Sequence, residues 1–249
     1  MKFKAIFSFL GLLLILFIGI PIVKMMISTD PSTLLLTSKE PEVYSSIFLT
    51  FRASVWATII ALLTGVPLAY ILARREFVGK KIIEGLIDLP VIIPHTAAGI
   101  ALLTVWGRNS LFSKATGINI IGTEISISIA MFFVSVPFLV NAVKDGFKLI
   151  DERYEKTAIT LGATTYKAFF TVSLPMVKKS IISGSLMMWG RGISEFGAVI
   201  ILAYHPMTAP VLIFERFQNF GLKYAIPVTV LLILISLIVF IFIRIFEDK

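Results

Sequence analysis

Six stretches of the chain are apolar for long enough to cross a bilayer, and the polar positions fall between them. They run near 5–27, 49–73, 86–106, 126–143, 181–204 and 225–246, each close to the roughly 17–25 residues with which a helix spans a hydrocarbon core. The pattern predicts an all-α polytopic membrane protein with six transmembrane helices, one transmembrane domain over 1–249 and its core in 49–246. The first run follows Lys2 and Lys4 as a signal peptide would, but KMMISTDP after it offers no small-residue cleavage site, so it is read as a retained span. No second domain, low-complexity tract or repeat of 20–50 residues interrupts the series.

Composition narrows the class. With 57% hydrophobic and 15% charged residues and a mean hydropathy of +0.93, the chain has more apolar surface than a soluble core of 249 residues could hide. It contains no cysteine, which excludes disulfides, thiolate metal sites and thiol nucleophiles. The net charge of +8 comes from residues that flank apolar runs, without the interleaved aromatics of a nucleic-acid surface, so no nucleic-acid partner is expected. Counted by loop, one side holds fifteen Lys and Arg and the other six. The positive-inside rule then places both termini in the cytoplasm.

The remaining polar segments carry the chemistry, or its absence. Gly79-Lys80-Lys81 lacks both the Ser or Thr and the upstream glycine of a phosphate loop, and neither a zinc pair nor a nucleophile elbow is present, so no cofactor or metal is expected on this chain. The last outer loop, 205–224, carries Leu212, Ile213, Phe217 and Phe220 near helical spacing, which predicts a short surface helix serving as an interfacial anchor or as a docking face.

Between the fourth and fifth runs lies EKTAITLGATTYKAFFTVSLP, residues 155–175. Tyr154, Ala158 and Leu161 repeat at helical spacing, and Tyr166, Phe169, Phe170 and Leu174 form a second stripe, which predicts two short helices. Gly162 is placed to turn the chain between them, and Pro175 to end the second. Helices this short need something to pack against.

The segment resembles the cytoplasmic EAA signature of permease subunits of ABC importers, E-A-A-x(3)-G-x(9)-I-x-L-P, in Gly162, Val172, Leu174 and Pro175. It departs from that signature at Lys156-Thr157, where Glu-Ala is usual; Ala158 agrees, and Glu155 is the candidate substitute for the acidic contact. The resemblance implies a coupling segment over 150–175 that docks on an ATPase through Glu155, Lys156, Thr157, Ala158, Leu161, Gly162, Ala163, Tyr166, Leu174 and Pro175. A plain interfacial helix-turn-helix is the competing reading.

Two further strings narrow the family. WGRGISEFGA resembles the A-R-x-x-G-E-F/Y-G motif of permeases for molybdate, tungstate and sulfate, with Ser194 in place of glycine, and PLAYILARREFVGKKIIEGLIDLPVIIPHTAAGIALL resembles the preceding core. The resemblance covers about 50–240 and implies the type I ABC importer permease fold. It also implies a second copy of this chain, two ATPase subunits that bind ATP and Mg, an external oxyanion-binding protein, and transport by alternating access. Tungstate or molybdate is the first expected cargo, and sulfate the alternative.

Charges inside the fifth run need protein or water around them, since each costs roughly 2.5–3.5 kcal/mol at the centre of a lipid-facing helix. Arg191 and Glu195, at i and i+4, can pair. Beside them Gly190, Ser194 and Ala198 form a small-residue stripe suited to close helix approach. A structural ion pair, a direct role in the anion pathway and a closed-state lock all stay open for them. Pro90 and Pro94 are expected to break the third run just before His95 and Thr96, with His95 either a buried hydrogen-bonding residue or part of the pathway. The rivals of another class are an intramembrane enzyme using Arg191, Glu195 and His95, and a proton-coupled transporter using Glu195.

Overall fold

The computed structural model describes residues 2–247; Lys249, counted in the charge balance above, lies outside them. Among the described residues every regular element is helical. In chain order they are α1 (Lys2–Ile27), α2 (Pro31–Ser38), α3 (Pro41–Arg74), α4 (Lys80–Ile92), α5 (His95–Trp106), α6 (Leu111–Thr116) and α7 (Glu124–Leu149). Then follow α8 (Arg153–Thr160), α9 (Thr165–Ala168), a π-helical turn (Phe169–Ser173), α10 (Leu174–Met176), α11 (Lys178–Ile193), α12 (Gly197–Leu202), α13 (Ala209–Phe220) and α14 (Leu222–Glu247).

Among the described residues four helices are long and apolar enough to cross a membrane unaided: Phe3–Ile27, Pro41–Arg74, Glu124–Leu149 and Leu222–Ile245. The third apolar run is instead a broken pair, Lys80–Ile92 and His95–Thr116, bent by 117°. Pro94 makes the break. Its ring drives Ile93 into an extended backbone (φ −74°, ψ 148°), and its missing N–H suits the start of α5. Pro90, expected to share in the disruption, is accommodated inside α4. The fifth run is also not one helix, because α11 stops at Ile193 and α12 begins at Gly197.

The core is built on α3 and α7. Ala53, Ala57, Ala61, Gly65 and Ala69 recur every fourth residue along α3, and all are buried. This ladder of small side chains lets α7 approach closely, so that a Cβ built on Gly65 would lie 3.1 Å from Val140 Cγ2. α11 closes on the same helix through Gly184, whose added Cβ would lie 2.9 Å from that of Ala142. Polar pairs fix the periphery: Asn141 Nδ2 donates to Asp88 (2.6 Å) and Lys144 to Glu84 (3.1 Å), holding α4 on α7. α1 is different. It rests lightly on α14, and its apolar window buries none of its residues.

At the end opposite α8, the helix expected from the last loop is α13. Its N-terminus is held by Thr50 of α3, whose Oγ1 accepts the Ala209 N–H (2.8 Å), and its flank by Arg216, which reaches Glu40 (2.6 Å) and Glu42 (3.3 Å). Leu212 is buried against the bundle while Phe217 and Phe220 remain exposed, so the apolar face is divided between the protein's own core and its surroundings.

Candidate functional site

The two helix breaks meet. Gly99 on α5 and Gly197 at the start of α12 remove the side chains that would hold these short helices apart. A Cβ on Gly99 would fall 2.9 Å from Ile201 Cβ and 3.0 Å from Ala198 Cα, and one on Gly197 would fall 2.7 Å from His95 Cβ. His95, the first residue of α5, is thereby pressed against the α11–α12 junction.

There it joins Arg191 and Glu195. The Glu195 side chain is 1% exposed, and both of its oxygens are satisfied. Oε1 accepts the Ala198 N–H (2.9 Å), which caps the start of α12 with a carboxylate. Oε2 takes His95 Nδ1 (2.9 Å) and Arg191 Nη2 (3.0 Å). Arg191 Nη2 also lies 2.8 Å from each ring nitrogen of His95. In the tautomer that donates Nδ1–H to Glu195, Nε2 accepts from the guanidinium. Ser194 is exposed, its hydroxyl donating to the Arg191 carbonyl (3.0 Å), and Thr96 is exposed on the neighbouring rim. Sequence spacing anticipates the i, i+4 pair of Arg191 and Glu195, although it spans a helix end rather than a helix middle. Of the small-residue stripe, Ala198 packs against Gly99 while Gly190 faces open space.

The second group of candidates, 150–175, sits at the other end of the bundle. The chain leaves α7 at Leu149, forms α8, turns through Gly162 at φ +94°, and re-enters through α9 and the π-helical turn. Thr164 Oγ1 accepts the Lys167 N–H (3.2 Å) and starts α9. Pro175 does not end the helical path as expected. The wider π turn, closed by the Leu174 N–H on the Phe169 carbonyl, falls just before it, where in an α-helix the proline ring would meet the carbonyl four residues back.

The apolar stripes divide in the same segment. Phe169 and Leu174 pack on the core, and Ala158 and Ala163 are half-buried. Leu161 (83% exposed), Tyr166 (75%) and Tyr154 face outward, with Thr157 beside them. Lys156, 72% exposed and paired with Glu152 at 3.1 Å, also points away from the bundle. Glu155 corrects the expectation made for it. Its carboxylate is turned inward onto Arg74 of α3 and Tyr70 Oη (2.8 Å), so it cannot replace Lys156 as an outward acidic contact. Arg74 and Tyr70 were not among the candidates, because an arginine at the end of an apolar run reads as an ordinary membrane flank.

Among the described residues no three His, Cys, Asp or Glu side chains are grouped to hold a metal. What the molecule offers is a helical membrane scaffold with broken helices joined at its centre and a structured apolar face displayed at one end.

The chain belongs to the family of binding-protein-dependent transport system inner membrane components, whose model matches residues 65–249. It is 45% identical over 240 residues to the molybdate/tungstate transport system permease protein WtpB of Pyrococcus furiosus, covering 96% of this chain and 92% of that one. To the protein of the same name from Thermococcus kodakarensis it is 42% identical over 241 residues, with 96% and 94% covered. It shares its fold with a chain of a bacterial ABC transporter involved in alginate import, at a TM-score of 0.71 and 13% identity, covering 99% of this chain and 95% of that one.

Proposed function

We propose that this chain is the membrane-spanning subunit of an ATP-driven importer for molybdate or tungstate. It works as two copies joined to two ATPase subunits, which bind ATP and Mg, and to an external oxyanion-binding protein. The cargo reading rests on the long, nearly full-length similarity to permeases that carry those anions in their names. Both termini and the 150–175 segment face the cytoplasm, and α11 with α12 counts as the broken fifth of six spans.

The observation that carries the coupling role is the outward face of α8 and α9. Leu161, Tyr166 and Tyr154 are large, exposed and held on a turn fixed by Gly162, which is costly to display to water and suited to a groove in a partner. Lys156 gives that face a cation, so the matching position on the ATPase is read as acidic. At the other site, Glu195 cancels the charge of Arg191 and anchors three elements, which supports a brace between the two helix breaks over a direct anion ligand.

The test is reconstitution in liposomes with its ATPase and binding-protein partners. ATP-dependent uptake of molybdate or tungstate, uncompeted by excess sulfate, is the expected result. Equal competition by sulfate would overturn the cargo assignment, and uptake by the isolated chain without ATPase would overturn the subunit role.

A further inference from the structure

Arg74 is held at one junction by Nε and Nη1, with Nη2 in ion-pair range of the Glu155 carboxylate. Nε and Nη2 lie 2.9 and 2.8 Å from Glu155 Oε1 on α8, while Nη1 donates to the carbonyls of Phe147 (2.7 Å) and Ile150 (3.1 Å), where α7 ends. Its side chain is 7% exposed and that of Glu155 12%. Tyr70, one turn earlier on α3, takes the other Glu155 oxygen through its hydroxyl. Its ring meets those of Phe147 and Phe169 edge-on, at 5.2 and 4.8 Å between centroids. Four elements therefore converge: α3, the end of α7, α8 and the π-helical turn. Glu155 is also the one buried residue of α8. Through this carboxylate α8 is tied directly to α3.

We infer that Arg74 is a positioning residue for transport, the strut that passes displacement of α8 to α3 and α7; this rests on the reading of 150–175 as the segment that docks on an ATPase. The choice of arginine follows from the geometry. A planar fork can hold a carboxylate on one edge and two helix-end carbonyls on the other, and its charge sits at the negative end of the α7 dipole. A lysine keeps the charge but cannot bridge both sides. α3 and α7 are the helices joined by the small-residue ladder, so a push at α8 enters the most extensively packed helix pair of the molecule.

The test uses the reconstituted complex with both partners. Arg74→Lys, Glu155→Gln and the milder Tyr70→Phe are compared for assembly, basal ATP hydrolysis and anions moved per ATP. With assembly and basal hydrolysis intact, transport per ATP should fall about tenfold for Arg74→Lys and Glu155→Gln, the size of an ordinary coupling term, and less for Tyr70→Phe. Because the chain has no cysteine, Arg74→Cys with Glu155→Cys can be bridged by a bis-methanethiosulfonate, which should restore transport per ATP without restoring the charges. Unchanged transport per ATP in Arg74→Lys, or no recovery on bridging, overturns the strut. If Arg74→Lys fails to assemble, Glu155→Gln and Tyr70→Phe decide, and a fall in their transport only in proportion to assembly also overturns it. Normal ATPase docking by Leu161→Ala with Tyr166→Ala would overturn the docking reading itself, whatever Arg74 does.

Discussion

Gly99 and Ile201 face each other so closely that a methyl group on the glycine would sit 2.9 Å from the isoleucine Cβ. Backbone atoms of Ala198 stand equally near, so no side-chain rotation can make room. Gly99→Ala should therefore destabilise the protein by about 1–3 kcal/mol, the usual range for overpacking. Gly190→Ala is the control, because nothing lies within 4 Å of its added Cβ. Thermal melts of the detergent-solubilised protein should separate the two, with Gly190→Ala at or above the parent.

Glu195 is almost wholly buried and serves Arg191, His95 and the Ala198 N–H at once. Glu195→Ala should cost about 3–5 kcal/mol, as removal of one partner of a buried pair does. Arg191→Gln should also lose stability and assembly before it changes anion preference. A melt combined with molybdate–sulfate competition on the surviving complex checks this; a changed preference in a fully stable variant would assign Arg191 to the pathway instead.

The outward face of α8 and α9 predicts a different kind of defect. Leu161→Ala and Tyr166→Ala should leave stability within about 0.5 kcal/mol, as exposed substitutions generally do. Each should weaken ATPase binding about 30-fold if it is an anchor of the interface, taking 2 kcal/mol as the threshold. Titration of the labelled ATPase against the permease in nanodiscs measures it.

Lys156→Glu should break only an exposed i, i+4 pair worth about 0.3–0.5 kcal/mol and place an acid where the related signature has one. ATPase binding should weaken, and the loss should shrink as salt is raised. The same titration at two ionic strengths reads the sign.

Gly162 adopts φ +94°, a backbone that L side chains rarely take. Gly162→Ala should cost about 1–2 kcal/mol without any steric clash, since nothing lies within 4 Å of the added Cβ. The melt should shift less for Gly162→Asn, which tolerates that region better.

Much of this was legible in the sequence because lipid imposes length and hydropathy directly. The runs that became α1, α3, α7 and α14 are continuous and apolar, and Pro94 announced the break before His95. The second break was hidden. No proline marks Ser194–Phe196, and the charges there, Arg191 and Glu195, read as a pair on one helix face rather than as a junction made by Glu195 capping α12. Burial of Glu155 was equally invisible, because its partner Arg74 lies about eighty residues away and carries a charge that the membrane flank already explains. The α3 ladder, by contrast, stood in the sequence at a plain four-residue period, and only its alanines' ordinariness concealed it. Pro175 misled for a physical reason: a proline stops an α-helix, but one wider turn ahead of it lets the path continue.

The crossing of α5 and α12 has a mechanical meaning. Each is the loose half of an interrupted span, and two interruptions in separate spans would ordinarily let each half tilt alone. Here Gly99 seats against Ala198 and Ile201, Gly197 seats against His95, and one carboxylate ties both ends. The two interruptions are packed as a single joint, so a displacement of one half is expected to carry the other.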